Sequence, residues 1–237
     1  RLDLALTLLG GIVFGIFGKI AVRARFFDRV DHMRTFGLEL LELIKGLLDL
    51  SKLESGTMSL KKAEIDVVPV VLDAAQTLAP AARKKAVEIK VESEPGLPTV
   101  WADAERLRQV VLNLTENALK FTPERGHVKL VVRASTIERR ADEDGRGLVL
   151  FSAKRPAVEI CVVDTGIGVP DAEKERVFDA FYQVDGSATR EHEGTGLGLS
   201  IVRRLVDAHD GTVRVEDNEP KGAVFVVTLP CRRTTIA

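Results

Sequence analysis

The stretch that decides the fold is Asn113-Leu114-Thr115-Glu116-Asn117-Ala118-Leu119-Lys120. Two glycine-rich turns follow it, Asp164-Thr165-Gly166-Ile167-Gly168 and Gly194-Thr195-Gly196-Leu197-Gly198-Leu199-Ser200. A single glycine-rich turn is common in proteins and indicates little. Two such turns, downstream of a helix that carries two amides and an amine, predict a site that holds a nucleotide together with Mg²⁺.

The helix around Asn113 has two distinct faces. At 3.6 residues per turn, a polar stripe runs along one of them. An amide oxygen is a suitable ligand for Mg²⁺ and an ammonium group suits a phosphate, so this stripe predicts a metal and phosphate site. The stripe consists of Gln109, Asn113, Asn117 and Lys120. The other face is apolar and is expected to join the core through Leu107, Val110, Val111, Leu114 and Ala118.

Each motif alone also has a simpler interpretation. Asn113 and Asn117 are compatible with a solvated face of an amphipathic helix. Residues 164–168 are compatible with an ordinary turn that ends a strand, and residues 194–198 with a loop that enters a helix. Their occurrence in this order within one domain favours the nucleotide site.

Taken together, the motifs resemble the catalytic core of a sensor histidine kinase, within the wider ATPase superfamily that includes gyrase B and MutL. Residues 113–120, within the stretch 107–123, resemble the kinase N box, and residues 164–168 and 194–200 resemble the two glycine boxes. Phe178-Asp179-Ala180-Phe181-Tyr182-Gln183 resembles the F box. Leu47-Leu48-Asp49-Leu50-Ser51-Lys52-Leu53-Glu54-Ser55-Gly56 resembles the end of the dimerisation hairpin.

The resemblance implies an α+β fold in two parts. An N-terminal helical dimerisation hairpin, which forms a four-helix bundle in a homodimer, precedes an α/β sandwich that binds ATP. We therefore expect a helical dimerisation domain at 1–56, a linker at 57–65 and a catalytic ATP-binding domain at 66–237. Leucine and isoleucine recur at helical spacing over 36–52, and Pro80 is expected to interrupt or bend a helix over 67–86.

The resemblance also implies roles for individual residues. Asp164 is expected to accept a hydrogen bond from the adenine amino group, while Gly166 and Gly168 let the backbone approach the ring. Asn113 is the expected Mg²⁺ ligand, and Asn117 and Lys120 are expected to contact phosphate oxygens. The other expected ATP-binding residues are Phe121, Arg190, Gly194, Thr195, Gly196, Leu197 and Gly198.

Three of these expectations have alternatives that the sequence leaves open. Phe121 or Tyr182 either packs near the nucleotide or belongs to the core. Arg190 either reaches the γ-phosphate from the lid segment or is a solvated loop arginine. The charged residues 137–156 either form a solvated hairpin extension or dock a partner, and the first interpretation is favoured.

The phosphoacceptor histidine of the family is absent from the position where the pattern places it. Counting back from Ser51 reaches Leu2 or a position just before Arg1, and neither Arg1 nor Leu2 can accept a phosphoryl group. His32 imitates the family's box but precedes Leu50 by only 18 positions, so a polar surface position is favoured over an acceptor role. Two functions remain: a kinase core whose acceptor lies elsewhere, and a dimerising ATP-binding module without enzymatic activity.

The composition of the chain limits the classes of partner and the cellular compartment that we expect. The formal net charge of the 237 residues is −1, which argues against nucleic acid, and the basic run 83–85 is expected to be solvated helix surface. Cys161 and Cys231 are the only cysteines, so no disulfide framework is expected and a reducing cytoplasm is the natural setting. A response-regulator receiver domain is the partner that the resemblance implies.

The N-terminal segment is strongly apolar. Residues 4–18 carry no charge, whereas a membrane-spanning helix needs about 20 apolar residues. A buried helix of the dimer core is favoured over a membrane span, so membrane contact is expected only through residues 2–22 or through regions before Arg1. The chain begins with Arg1, and we expect it to be part of a longer protein.

Overall fold

The computed structural model describes residues 37, 40, 41, 44–49, 51, 53, 55, 58–138, 154–184 and 195–231. The chain divides into two compact units, residues 1–45 and 46–237. In the first unit the described residues 37, 40, 41, 44 and 45 are helical. In the second unit residues 46–49, 51 and 53 are helical as well. The remainder of the predicted hairpin, including the apolar segment 2–22, lies outside the described residues.

A five-stranded sheet forms the frame of the second unit. Its strands lie in the order β2-β4-β5-β7-β6. β2 pairs with β4 in parallel, and the other neighbours are antiparallel. The bounds are β2 Glu88–Ser93, β4 His127–Glu138, β5 Lys154–Asp164, β6 Thr212–Asp217 and β7 Ala223–Pro230. A separate antiparallel pair joins β1 (Ala63–Ile65) to β3 (Val100–Ala102).

Three helices accompany this sheet: α1 Val67–Lys84, α2 Ala104–Phe121 and α3 Gly198–Asp207. Two short 3₁₀ turns lie at Asp171–Glu173 and Arg176–Phe178. An aspartate begins each of the first two helices: Asp66 accepts from the N–H of Val68, and Asp103 accepts from the N–H groups at 105 and 106. Such caps satisfy N–H groups that have no partner within the helix.

The core lies between the helices and one face of the sheet. On β5, Ile160 and Val162 are 0 % exposed, and so is Leu130 of β4. Alternate residues point to opposite faces of a strand, and the opposite face carries charged residues. There Glu159 forms salt bridges to Arg133 at 2.8 Å and to Arg214 at 3.3 Å.

The α+β fold with a mixed sheet agrees with the sequence-based expectation. One feature of the fold differs from the sequence-based expectation, and another was not predicted. α1 continues through Pro80 without interruption, and the end of the predicted linker forms β1. β4 and β5 pair as far as Glu138 and Lys154, which agrees with a hairpin extension around the charged segment. Among the described residues, no helix is both long and apolar enough to cross a membrane.

Candidate functional site

Helix α2 holds the predicted metal and phosphate ligands on one side. Its apolar stripe is buried, with Leu114 at 0 % exposure. Burial of this stripe fixes the rotation of the helix about its axis. The predicted ligands share the half-buried side: Asn113, Asn117 and Lys120.

Asn113 connects α2 to the second glycine-rich turn. Its Nδ2 donates a hydrogen bond to the backbone carbonyl oxygen of Gly198, at 3.2 Å. No described residue donates a hydrogen bond to its Oδ1. The amide nitrogen therefore orients the side chain, and the amide oxygen is left for a ligand.

Gln109, the fourth member of the polar stripe, has a different partner. Its Nε2 donates to Oδ2 of Asp49 at 3.3 Å, and its Oε1 accepts from Arg106 at 2.9 Å. Arg106 also lies 3.7 Å from the same Asp49 oxygen. Gln109 thus contacts Asp49, a helical residue that precedes β1 in the chain, rather than the predicted ligands.

The C-terminal end of α2 lies against the first glycine-rich turn. A Cβ atom on Gly166 would lie 2.6 Å from the carbonyl oxygen of Phe121, so only glycine permits this approach. The Nζ of Lys120 lies 5.2 Å from the centroid of the Phe121 ring. Burial lowers the pKa of Lys120, because removal from water disfavours the charged form.

Asp164 is the last residue of β5 and is 4 % exposed. Its Oδ1 accepts hydrogen bonds from the backbone N–H groups of Gly166 at 2.8 Å and Ala223 at 3.2 Å. Burial raises the pKa of the carboxyl group, and these two hydrogen bonds oppose the change. Both backbone donors use Oδ1, and no described residue donates to Oδ2. That second oxygen is the one left for a ligand.

The turn between β6 and β7 positions Asp164, and the sequence alone did not indicate this. Nδ2 of Asn218 donates to the backbone carbonyl of Asp164 at 2.8 Å. A Cβ atom on Gly222, which has a φ of +124°, would lie 1.9 Å from that same carbonyl oxygen. The segment Asn218-Glu219-Pro220-Lys221-Gly222 is recognisable as a turn. Its proximity to Asp164 follows from the pairing of Val163 with Val224, which is not local in sequence.

The second glycine-rich turn is described from Thr195 onward, whereas Gly194 and Arg190 lie outside the described residues. Gly196 has a φ of +69°, and its carbonyl accepts from the N–H of Phe181 at 3.0 Å. Leu197 is 2 % exposed, so its side chain packs in the core. No side chain of the described residues caps the start of α3 at Gly198. Its first N–H groups are therefore suited to an anion.

Two of the three aromatic residues of the F-box segment, Phe178 and Tyr182, pack against other side chains. Phe178 is 4 % exposed and packs edge-on against Phe225, with ring centroids 6.3 Å apart. The Tyr182 hydroxyl donates to a carboxylate oxygen of Glu173, and the Arg176 guanidinium lies 4.3 Å from its ring centroid. These contacts assign Tyr182 to local packing.

His209 is a structural histidine. It is 3 % exposed, and its Nε2 accepts from the N–H of Asp103 at 3.0 Å. Its other ring nitrogen, Nδ1, lies 2.7 Å from the carbonyl oxygen of Leu205 and acts as the donor to it. His127, by contrast, is exposed and lies 3.2 Å from Glu88. His32 lies outside the described residues.

Comparison with known proteins finds an ATPase family and sensor kinases that are similar to this chain. Residues 102–233, more than half of the chain, match the family described as histidine kinase-, DNA gyrase B- and HSP90-like ATPase. The chain is 38 % identical over 193 residues to hybrid signal transduction histidine kinase D of Dictyostelium discoideum, covering 81 % of this chain and 11 % of that protein. It is 35 % identical over 206 residues to the autoinducer 2 sensor kinase/phosphatase LuxQ of Vibrio parahaemolyticus, covering 86 % and 22 %.

Solved structures of histidine kinases are also similar to this chain. Full-length ShkA in complex with AMPPNP aligns with a TM-score of 0.63 and 35 % identity, over 81 % of this chain and 35 % of ShkA. Histidine kinase ThkA in complex with the response regulator TrrA aligns with a TM-score of 0.61 and 25 % identity, over 84 % of this chain and 49 % of that one. The chain thus spans at most about a quarter of the two curated relatives named above. It belongs to the family of histidine kinase-, DNA gyrase B- and HSP90-like ATPases and carries the ATPase core of a sensor histidine kinase.

Proposed function

We propose that this chain is the catalytic core of a two-component histidine kinase, which binds Mg-ATP and presents its γ-phosphate to a histidine on a helical hairpin. The observation that carries the proposal is the convergence of three distant motifs. Asn113 of α2 bonds to Gly198 of the second glycine box, at 3.2 Å. Phe121, at the end of the same helix, lies against Gly166 of the first glycine box.

Asp164 is the proposed adenine-binding residue. Its Oδ1 is occupied by two backbone donors, while Oδ2 is left to accept from the exocyclic amino group of adenine. A buried carboxylate is a stronger acceptor than a neutral amide. Gly166 and Gly168, which lack Cβ atoms, leave room for the ring beside the backbone.

Asn113 is the proposed Mg²⁺ ligand, through Oδ1. Mg²⁺ bound with nucleotide phosphates keeps several waters and needs only one or two protein oxygens. The described residues hold no cluster of three acidic, histidine or cysteine side chains, and a site of this kind requires none. The bound ion would neutralise phosphate charge, while Asn117, Lys120 and the N–H groups at the start of α3 contact phosphate oxygens.

Phosphoryl transfer depends mainly on positioning and on charge neutralisation, because the transition state is loose. In the proposed function Arg190 contacts the γ-phosphate, and the backbone N–H groups of residues 194–198 face the phosphates. The phosphohistidine then transfers its phosphoryl group to an aspartate of a receiver domain. The complex of ThkA with its response regulator TrrA supports a partner of that class. The core would act as a homodimer in the cytoplasm.

The alternative is an ATP-binding, dimerising module that transfers no phosphoryl group. The leucine at position 2, one of the two positions that the count back from Ser51 reaches, favours it. Incubation with γ-labelled ATP, with and without an intact acceptor hairpin supplied in trans, separates the two functions. We expect no label on this chain and acid-labile label on the added hairpin. ATP binding with no transfer to the hairpin would establish the alternative, and label lost on His32→Ala would make His32 the acceptor.

A further inference from the structure

The last turn of α2 has carbonyl groups that no helical N–H can satisfy. The Ala118 carbonyl accepts from both the N–H and the hydroxyl of Thr122, at 3.0 and 2.7 Å. The carbonyls of Leu119 and Lys120 both accept from the Nζ of Lys85, at 2.8 and 2.7 Å. One ammonium group from another element thus holds two consecutive carbonyls at the end of the N-box helix.

Lys85 reaches this position because of how α1 ends. It is the C-cap residue of α1, and its own N–H bonds to the carbonyls of Ala81 and Ala82. Ala86 follows with a φ of +54°, which turns the chain sharply into β2. The expectation of a solvated basic surface holds for Arg83 and Lys84, which are exposed. Lys85 is half-buried, so for this residue the expectation was wrong.

The charge of Lys85 suits its position. A cation at a helix C-terminus interacts favourably with the helix dipole, in addition to its hydrogen bonds to the last carbonyls. Burial lowers the pKa of Lys85, and the carboxylate of Glu124 opposes this change. Lys85, which none of the sequence motifs includes, is therefore a charged partner of the C-terminal end of α2.

Resting on the proposed function, we propose that Lys85 is a positioning residue of the nucleotide site. By holding the carbonyls of Leu119 and Lys120, it sets the last turn of α2. That turn determines where the Lys120 ammonium lies. Lys85 itself would touch neither ATP nor Mg²⁺.

This role predicts a selective effect on the phosphate part of the ligand. Adenine recognition depends on Asp164, which β5 and the β6–β7 turn position independently of Lys85. Phosphate recognition depends on α2, through Lys120. Loss of the Lys85 contact should therefore weaken ATP binding more than adenosine binding, whereas general destabilisation of a folded protein would leave their ratio unchanged.

The experiment compares Lys85→Met, Lys85→Gln and Lys85→Arg with the exposed neighbour Lys84→Met as the matched control. Affinity for ATP with Mg²⁺ is measured by calorimetry, and affinity for adenosine by displacement of a labelled nucleotide. Each variant is measured at a temperature where circular dichroism shows it folded. We expect Lys85→Met to weaken ATP binding about five- to tenfold and adenosine binding less than about twofold. Lys85→Arg, which keeps a cationic donor, and Lys84→Met should resemble the unmodified chain.

Several outcomes would overturn the inference while leaving the proposed function intact. One is unchanged ATP affinity in Lys85→Met; another is an equal loss for ATP and adenosine. Failure of both Lys85→Met and Lys85→Gln to fold would show that Lys85 serves the fold as a whole, and would also overturn it. Failure of the unmodified chain to bind ATP would instead overturn the proposed function.

Discussion

The Nδ2 of Asn113 donates a hydrogen bond to the backbone carbonyl of Gly198, and this contact at 3.2 Å joins the middle of α2 to the first residue of α3. The two residues are 85 positions apart in sequence. One amide can therefore serve two purposes: its nitrogen fixes the glycine turn against the helix, and its oxygen is available to Mg²⁺.

Asn113→Asp should separate these two purposes. The carboxylate keeps an oxygen for the metal but has no N–H for Gly198, and its second oxygen would repel the Gly198 carbonyl. We expect ATP affinity to fall about tenfold, since a lost hydrogen bond is worth about 1 kcal/mol and repulsion adds to it. Binding should remain dependent on Mg²⁺. Asn113→Ala should lose both the affinity and most of the Mg²⁺ dependence.

Calorimetry with ATP in the presence and absence of Mg²⁺ measures both effects. Gln76→Ala, at an exposed position on α1, controls for the loss of an amide elsewhere. Wild-type affinity in Asn113→Asp would show that the contact with Gly198 does not position the site.

Asp164→Asn should weaken adenine binding, and the hydrogen-bond geometry explains why. Two backbone N–H groups, from Gly166 and Ala223, point at Oδ1, so the asparagine must place its oxygen there. Its NH₂ group would then occupy the Oδ2 position and face the adenine amino group, donor against donor. An unsatisfied pair of this kind costs about 1–3 kcal/mol, or about a ten- to hundredfold loss of ATP affinity.

The same variant gives a test that does not depend on the phosphates. Adenosine should lose as much affinity as ATP, whereas GTP binding, if detectable, should not weaken. Unchanged adenosine affinity in Asp164→Asn would remove Asp164 from the adenine site.

Gly222→Ala should damage the fold at the site. The added Cβ would lie 1.9 Å from the carbonyl oxygen of Asp164, and the φ of +124° is unfavourable for any other residue. We expect a loss of about 2–4 kcal/mol in the free energy of unfolding, measured by urea denaturation. Gly198→Ala is the control for stability, since none of the described residues outside its own helical turn has an atom within 4 Å of its Cβ position. Equal stability of the two variants would contradict the close approach of the β6–β7 turn to Asp164.

Local patterns explain which parts of this site were predictable. Asp164 directly follows the strand residues 158–163, and Asn113 lies on an amphipathic helix, so both proposed roles follow from neighbouring sequence. Asn218 and Lys85 reach the site through contacts 54 and 35 positions away. In the sequence, Asn218 is an ordinary turn residue and Lys85 is an ordinary residue at a helix end. Their contacts at the site depend on the strand order and on the packing of α1.

At Pro80 and Gln109, rules that use only the neighbouring sequence gave an incomplete prediction. Proline removes a helical hydrogen bond, yet Pro80 lies in the last turns of α1, is exposed, and α1 continues past it. Helical periodicity placed Gln109 correctly on the polar face, but its partner is Asp49 from a preceding segment. Periodicity predicts the direction of a side chain and does not identify the group that it meets.

Residues 37–53 should mediate homodimerisation. Among the described residues of this segment, Leu40, Leu41, Ile44, Leu47 and Leu48 are each between 44 and 53 % exposed. Covering such a stripe with a second copy would remove apolar surface from water, at about 25 cal/mol per Å². We expect the full chain to be dimeric at micromolar concentration by light scattering, and a chain that begins at Met58 to be monomeric and still bind ATP.

A double variant distinguishes this surface from other contacts. Leu41→Lys with Leu48→Lys should yield monomers, because charges on the stripe oppose its burial. Leu72→Lys is the matched control, since Leu72 is a comparably exposed leucine on α1. A monomeric full chain, or a dimer that persists in the double variant, would contradict the prediction.

His209 should make the stability of the catalytic domain dependent on pH. Its neutral ring joins the end of α3 to the start of α2, accepting at Nε2 from the N–H of Asp103. Burial lowers the pKa of His209 from its usual 6.5, and the charge of Lys62 acts in the same direction. The Leu205 carbonyl and the carboxylates of Asp103 and Asp210 oppose the shift without reversing it.

The sign of the effect follows from which state binds the proton more readily. The unfolded chain takes up a proton near pH 6.5, whereas folded His209 does so only at lower pH. The contribution of His209 to stability is therefore fully present above pH 6.5. It is lost as the pH falls from there toward the lowered pKa of the folded state, with a limiting slope of about 1.4 kcal/mol per pH unit.

Urea denaturation between pH 8 and pH 5 tests this prediction on the unmodified chain, on His209→Gln and on His127→Gln. His209→Gln should be less stable at pH 8 by about 1–3 kcal/mol, because one of the two ring contacts is lost or lengthened. Its stability should also fall less steeply below pH 6.5, since no proton is taken up at this position. His127→Gln, at an exposed position, should keep the slope of the unmodified chain. Equal slopes in the unmodified chain and His209→Gln would show that acid sensitivity arises from other groups.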